Sequence, residues 1–172
     1  LIGTMLNDEA FHFARLGTFL ERADNTARIL DVNFRRQAEQ DALQVDGDEQ
    51  NDSLQRDYYH WASLLRSLSA FENYRKVYRH AITPARVAEL LILRGDMPRS
   101  LLACLAEVER NLKAVANKQS GETERRAGMM HAELRYGRID DILHTGMHAY
   151  LTDFLERIND LGARISQDFL VG

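Results

Sequence analysis

The stretch from Phe13 to Asp31 reads FARLGTFLERADNTARILD, and its apolar residues recur at the three- and four-residue spacing of an α-helix. The spacing predicts a helix whose buried stripe has Leu20 at its centre and Asp24 and Asp31 inside it. The opposite side carries the apolar residues Phe11, Phe19 and Ile29, which predicts that this helix lies in the middle of a bundle. Ionisable groups that point into a bundle must be paired or serve a function, because burying an unpaired charge is costly. The predicted stripe consists of Phe13, Leu16, Leu20, Ala23, Ala27 and Leu30.

The composition of the 172 residues is that of an ordinary globular protein, with 45% hydrophobic and 28% charged residues, and predicts a single domain over residues 1–172. The net charge of −4 gives no electrostatic footprint for binding nucleic acid. No apolar run approaches the roughly twenty residues that span a membrane. Cys104 is the only cysteine, so no internal disulfide can form, and the sequence predicts a cytoplasmic location.

Helical periodicity and capping signals divide the chain into helices, and no stretch alternates apolar and polar residues as a strand does. Residues 39–52, EQDALQVDGDEQND, are acidic and lack a basic residue, which predicts a mobile surface loop. The pattern as a whole predicts an all-α fold, a bundle of about four long amphipathic helices with one or two short ones. The predicted helices span residues 7–37, 54–79, 83–93, 96–115, 120–136 and 138–169.

Two stretches of the chain resemble each other, FLERADNTARI at residues 19–29 and FLERINDLGARI at residues 154–165. Together with DMPRSL at residues 96–101 and LRYGRIDDIL at residues 134–143, the first stretch closely resembles the bacterial alpha-E family. That family is a helical domain of unknown function named for a Glu-Arg motif, which here is Glu21-Arg22. The resemblance covers essentially the whole chain and implies that it is the C-terminal half of a full-length member.

The resemblance also implies partners. Members of the alpha-E family are typically encoded beside, or fused to, circularly permuted ATP-grasp proteins and transglutaminase-like proteins. This implies a place in a peptide-ligation or peptide-modification system. The resemblance implies neither an established reaction nor a cofactor, and it leaves open whether the chain forms homo-oligomers.

The strongest candidate site in the sequence is a polar cluster shared by the first and the last helix. Each helix carries one acid–base pair at i,i+4 spacing, which can neutralise itself, whereas Asp31 and Arg157 must find partners across the bundle. The cluster is either a buried ion-pair network that fixes helix register or a pocket that binds an anionic or peptide-like ligand through its arginines. Its members are Glu21, Arg22, Asp24, Asn25, Arg28, Asp31, Arg157, Asp160 and Arg164, and the two local pairs are Asp24–Arg28 and Asp160–Arg164.

A metal site is the alternative that the histidines raise. Glu9 and His12 have the i,i+3 spacing of di-metal carboxylate bundles. Such a site needs a second Glu-x-x-His and two further glutamates, and the nearest substitutes are Asp141, His144 and His148 on the flank of the last helix. The sequence therefore predicts no metal site, with Glu9 and His12 as the nearest candidates.

Two functions stay open. In the first, the chain is a non-catalytic interaction or substrate-presenting module that works with an ATP-grasp-type peptide ligase or a transglutaminase-like protein. In the second, it is an enzyme whose polar bundle core holds a metal or activates a carboxylate. The sequence contains no nucleotide-binding loop, nucleophile elbow or zinc spacing, and the lack of a complete catalytic constellation favours the first.

Overall fold

The computed structural model describes residues 7–43, 50–79 and 81–170, and every regular element in this part of the chain is helical. This confirms the predicted all-α fold, although two of the predicted long helices are each divided in two. No described helix combines the length and the apolarity that crossing a bilayer requires. The elements in chain order are α1 (Asn7–Leu43), α2 (Gln50–Ser67), α3 (Phe71–Tyr78), α4 (Pro84–Leu93), α5 (Leu101–Ala114), α6 (Gly121–Arg135), α7 (Ile139–Thr145), α8 (Met147–Ile165) and a π-helical turn (Ser166–Leu170).

Helix α1 is the central element, because it packs along α5 on one side and along α8 on the other. Helix α6 contacts both α5 and α8, so α1, α5, α6 and α8 form a four-helix bundle. Two of the buried positions of α1 are alanines, Ala23 and Ala27, which allow the neighbouring helices to lie close to its axis. Helix α4 packs across this bundle and contacts the shorter helices α3 and α7.

The buried stripe of α1 is rotated relative to the prediction. Phe19, which the spacing placed on the opposite side, is only 8% exposed, whereas Leu20 is half-buried. Because α1 contacts two helices, its buried surface is broad, and Thr26 is fully buried as well. The prediction that Leu20 lies at the centre of the stripe is therefore wrong, whereas Asp31 points inward as predicted.

The segment between the first two helices is more helical than predicted. Helix α1 ends at Leu43, six residues beyond Gln37, so the first residues of the predicted 39–52 loop are helical. Helix α2 begins at Gln50, so the last residues of that loop are helical too. Residues 44–49 lie outside the described residues. Glu, Gln, Ala and Leu are good helix formers, and this propensity extends α1 through residues whose acidic composition alone predicts a loop.

Two turns divide the predicted helices that span residues 54–79 and 138–169. The predicted helix over residues 54–79 is divided at Ser69, whose φ is 55°, and the Ala70 amide there donates a hydrogen bond to the Leu65 carbonyl at 2.7 Å. The second is divided at Gly146, whose φ of 103° favours glycine. These turns fold α3 and α7 back against α4.

The start of α5 also differs from the prediction. Ser100, not Asp96, caps this helix: its hydroxyl accepts from the Ala103 amide at 3.0 Å and donates to the Arg94 carbonyl at 2.6 Å. Asp96 instead pairs with the Arg94 guanidinium at 2.7 Å. Ser100 thereby ties the 96–101 turn to the end of α4. Thr83 caps α4 as predicted, accepting from the Arg86 amide at 3.3 Å.

Candidate functional site

The polar cluster predicted from the sequence does not form one buried network. Arg157 keeps a side-chain exposure of 33%, and its nearest carboxylates are Glu133 of α6, at 2.5 Å, and Asp153, at 3.8 Å. Arg157 therefore finds a partner across the bundle, as predicted, but the pair is partly exposed, so the buried-network alternative is wrong for this arginine. On a helix that α1 and α6 both contact, Arg157 turns towards α6 rather than towards the acids of α1.

The two local pairs of the cluster are confirmed. Asp160 accepts from Arg164 at 3.1 Å, and it also accepts from Arg126 of α6 at 2.9 Å. Asp24 accepts from Arg28 at 2.8 Å, and this bond holds the pKa of the arginine above its ordinary value. Asp24 lies at the edge of the buried surface of α1, with 37% of its side chain exposed, rather than inside it as predicted.

Part of the cluster lines a cleft between α1 and α8, with a volume of about 460 Å³. Glu21, Asp24 and Arg28 form the α1 wall of this cleft. Asn25, the remaining polar member from this part of α1, is exposed and does not line it. The α8 side consists of Ile158, Asn159, Gly162 and Ala163, with Ser166 beyond.

Arg22 lies on the other side of α1, in a cleft of about 340 Å³ between α1 and α5 that we call the Arg22 cleft. Neighbouring residues on a helix point about 100° apart, so the two residues of the Glu21-Arg22 motif line different clefts. The Arg22 cleft brings the motif together with the 96–101 turn, the second stretch that carries the family resemblance. Its lining residues are Phe19, Arg22, Gly95, Asp96, Pro98, Ala103, Ala106, Glu107 and Arg110.

One hydrogen bond fixes the two stretches against each other. The hydroxyl of Thr26, which is fully buried, donates to the Arg99 carbonyl at 2.9 Å. The guanidinium carbon of Arg22 lies 5.1 Å from the centre of the Phe19 ring, which orients the side chain along the cleft. Among the described residues, no carboxylate lies within 4.0 Å of the Arg22 guanidinium.

The carboxylates of the Arg22 cleft are already paired. Asp96 accepts two hydrogen bonds from Arg94, and this pairing holds the pKa of Asp96 below its ordinary value. Glu107 accepts from Arg15 at 3.1 Å and from Arg110 at 3.0 Å. Four arginines in all, the three that pair with these acids and Arg22, therefore face two carboxylates. This leaves the cleft locally positive in a chain of net charge −4.

Cys104 lies near this cleft but is fully buried. Desolvation by burial raises the pKa of its thiol to about 12, and the nearby Arg22 and Arg99 offset this only in part. The thiol therefore stays protonated at neutral pH, whereas a nucleophilic cysteine must reach its thiolate form.

Asp31 has a partner across the bundle, as predicted for a buried acid. The partner is a histidine of α8 and not one of the arginines of the predicted cluster. His148 Nδ1 lies 2.7 Å from Asp31 Oδ1, and the Arg35 guanidinium lies 3.7 Å from the other carboxylate oxygen. Asp31 is 9% exposed, so this contact joins α1 and α8 at the rim of the core.

The residues named as metal candidates lie apart. His12 Nδ1 lies 2.7 Å from the Oδ1 atom of Asn111, a buried residue of α5, and Glu9 is exposed. His144 is exposed on α7, and His148 is engaged by Asp31. Within the described ranges, no three His, Cys, Asp or Glu side chains gather as a metal ion would require.

The sequence did not single out several residues that shape the Arg22 cleft. Phe19 was assigned to the wrong side of α1, and neither Glu107 nor Arg110 was among the candidate site residues. The available signal was the DMPRSL stretch at residues 96–101, which carried the resemblance and lies directly against the Glu-Arg helix.

Comparison with known proteins identifies a family. The family model Alpha-E, described as a predicted alpha-helical domain with a conserved ER motif, matches residues 1–170. No curated protein and no solved structure matches the chain.

Proposed function

The chain belongs to the Alpha-E family, and we propose that it is a non-catalytic interaction module that holds a carboxylate-bearing, peptide-like segment in the Arg22 cleft. We propose that the segment belongs to, or is a substrate of, an ATP-grasp-type ligase or a transglutaminase-like protein in the cytoplasm. The observation that carries the proposal is the guanidinium of Arg22, which is oriented by Phe19 and has no carboxylate partner among the described residues.

A guanidinium in this setting is suited to bind a carboxylate. Its planar fork of N–H donors matches the two oxygens of a carboxylate, and stacking on an aromatic ring leaves its edge open for such a pair. The surplus of arginines around the cleft adds a favourable potential for an anionic segment. Carboxylates are abundant in acidic peptides and at chain ends, which fits the peptide-ligation setting of the family resemblance.

The shape of the cleft favours a chain segment as the occupant. Its floor and walls include Gly95, Ala103 and Ala106, whose small side chains let a main chain come close. Pro98 and Phe19 add apolar surface on either side. An extended peptide could lay its backbone over the small residues while one acidic side chain reaches Arg22.

The chemistry of the neighbouring groups supports binding rather than catalysis. Asp96 and Glu107 both accept from arginines, and the hydrogen bond from Arg94 lowers the pKa of Asp96, which makes Asp96 a poor general acid. The thiol of Cys104 is buried and protonated. The two carboxylates therefore serve to position arginines around the cleft.

The test measures binding of the full chain to the ATP-grasp-type protein encoded beside it, and to a fluorescent peptide of glutamates. We expect Arg22→Ala to weaken binding about tenfold or more, the value of one charge-assisted pair. Arg28→Ala is the matched control, because it removes an arginine from the same helix, on the α8 side, that is already paired with Asp24. Equal weakening by both variants would refute the assignment to the Arg22 cleft. Near-stoichiometric iron, manganese or zinc in protein purified without chelators or a histidine tag would instead favour the enzyme alternative.

A further inference from the structure

A third pocket, separate from the Arg22 cleft and from the cleft between α1 and α8, lies where α2, α3 and the connection to α4 meet. It has a volume of about 510 Å³ and is lined by Tyr58, Phe71, Tyr74, Arg75, Arg79 and Ile82. We propose that this pocket, which we call the α3 pocket, binds a small organic anion that carries a planar ring, with the charge on Arg75 and Arg79 and the ring against Tyr58 and Phe71.

The charges around α3 point to an anion. Arg66, Arg75, Lys76 and Arg79 lie on or beside this short helix, and among the described residues none of them has a carboxylate within 4.0 Å. The acid of α3, Glu72, is exposed and does not line the pocket. Most arginines elsewhere in the described chain pair with acids, so this unpaired group is a local positive field in a chain of net charge −4.

The aromatic residues point to a planar group. The guanidinium carbons of Arg66 and Arg75 lie 4.4 and 5.9 Å from the centre of the Phe71 ring, so two cations lie beside this ring, and one of them, Arg75, lines the pocket. Tyr58 is 43% exposed, which leaves its ring accessible. A ligand ring can stack on such side chains while its anionic group reaches the arginines.

One wall of the pocket is held in place by hydrogen bonds. Tyr74 is 1% exposed, and its hydroxyl donates to the Ala81 carbonyl at 3.0 Å and accepts from the Thr83 amide at 3.2 Å. These two bonds tie Ala81 and Thr83 to α3. Tyr74 therefore acts as a wall of the pocket, and its hydroxyl is already occupied within the protein.

The backbone gives a second, independent indication. Ser69 and Arg79 are the residues other than glycine with positive φ in the described chain, at 55° and 53°, and they flank α3 at its two ends. A helix commonly ends with glycine in this conformation, because a side chain is disfavoured there. Arg79 holds this position nonetheless, and its side chain lines the pocket. Strained residues of this kind cluster at ligand sites, where the side chain serves a purpose that glycine cannot.

The size of the pocket fits a small ligand. Pockets for small molecules and cofactors are typically about 300 to 1,000 Å³, so the α3 pocket is larger than a single inorganic anion requires. A phosphate or carboxylate group joined to a planar ring would use both the arginines and the aromatic walls.

The experiment is isothermal titration calorimetry of the full chain with three probes: adenosine monophosphate, adenosine and inorganic phosphate. We expect the nucleotide to bind at least about tenfold more tightly than phosphate, because it adds the stacked ring, and adenosine to show no binding. Binding of adenosine as tight as that of the nucleotide, or equal affinity for nucleotide and phosphate, would overturn the proposal. So would the absence of heat with all three probes.

Three variants separate the contribution of the arginine side chains to binding from that of the left-handed backbone. Arg79→Gly removes the guanidinium and also relieves the left-handed backbone, so it should keep or raise the melting temperature while weakening nucleotide binding about tenfold or more. Ser69→Gly relieves the backbone at the other end of α3 without touching a charge, and it should bind as the wild type does. Arg75→Gln tests the second arginine within the helix and should weaken binding by a similar factor. Wild-type affinity in Arg79→Gly, or an equal loss in Ser69→Gly, would overturn the assignment.

Discussion

Replacing Thr26 with valine removes one hydroxyl from the contact between α1 and the 96–101 turn. Thr26 is fully buried, and its hydroxyl donates to the Arg99 carbonyl at 2.9 Å. Valine keeps the branched shape and nearly the same volume, so it leaves no cavity and keeps a similar helix propensity. The substitution therefore tests the hydrogen bond itself, which joins the two stretches that carry the family resemblance.

The expected loss in the free energy of unfolding follows from the Arg99 carbonyl, which the valine leaves without its hydrogen-bond donor. A buried carbonyl that loses its donor costs about 1 to 3 kcal/mol. Arg99 is only half-buried, so water can partly replace the donor, and we expect about 1 to 2 kcal/mol. For a chain of this size that corresponds to a fall in melting temperature of about 2 to 8 °C.

The assay is urea unfolding with calorimetry, and the chain offers a matched control. Thr18 lies on the same helix, but it is exposed, and its hydroxyl donates to the Ala14 carbonyl of its own helix at 3.0 Å. Thr18→Val should change the free energy of unfolding by no more than about 0.5 kcal/mol. Equal losses in the two variants would refute the reasoning, because they would show that the hydroxyl of Thr26 contributes nothing beyond local helix effects. Thr26→Val should also weaken binding in the Arg22 cleft, since the turn that lines it loses its anchor.

Three further predictions concern stability. Burial raises the pKa of Cys104 from 9.0 to about 12, so between these pH values the thiol ionises only in the unfolded chain. The folded state therefore loses stability as the pH rises above about 9, and Cys104 contributes about 1 kcal/mol of that loss at pH 10. Urea unfolding at pH 8 and pH 10 should show a smaller loss in Cys104→Ala than in the wild type; parallel losses would contradict this. Gly146→Ala should lower the free energy of unfolding by about 1 kcal/mol or more, because φ at Gly146 is 103°. Gly162 lies in the middle of α8 with open space where a Cβ would be, so Gly162→Ala should stabilise the fold by about 0.5 to 1 kcal/mol. Calorimetry that shows the same sign for both variants would refute the backbone argument. Arg157→Ala should cost less than about 1 kcal/mol, because the arginine is 33% exposed and its partner Glu133 is 54% exposed, and a measured loss of about 3 kcal/mol or more would contradict that surface placement.

The helices themselves were predictable because their signals are local. The +3/+4 spacing of apolar residues and the cap at Thr83 identified α4 to within a residue, and the break before Ser120 marked the start of α6. The turn at Ser69 was not predictable in the same way, because no glycine or proline marks it. There the burial of Leu65 on α2 and of Tyr74 on α3 overrides the continuous helical pattern.

The candidate site was predictable only where it depends on neighbours in the sequence. The pairs Asp24–Arg28 and Asp160–Arg164 follow from i,i+4 spacing alone. The partner of Asp31 lies 117 residues away at His148, and nothing in the spacing of either helix identifies it. The rotation of the buried stripe of α1 was not predictable for a similar reason. Two helices pack against α1, and the spacing of its apolar residues shows only the total surface that both of them cover.

The separation of Glu21 and Arg22 determines what a substitution in the motif can report. Residues at i and i+1 on a helix do not face each other, so the two charges of the motif do not form a local pair. Arg22 stacks on Phe19, and Glu21 lines the cleft towards α8. Removing the Arg22 guanidinium therefore strands no buried carboxylate among the described residues, and the large stability loss that follows when a buried ion pair is broken should not occur. A loss of partner binding in Arg22→Ala at an unchanged melting temperature can then be assigned to the cleft itself, which makes this arginine a sharper probe of function than the paired charges of α8.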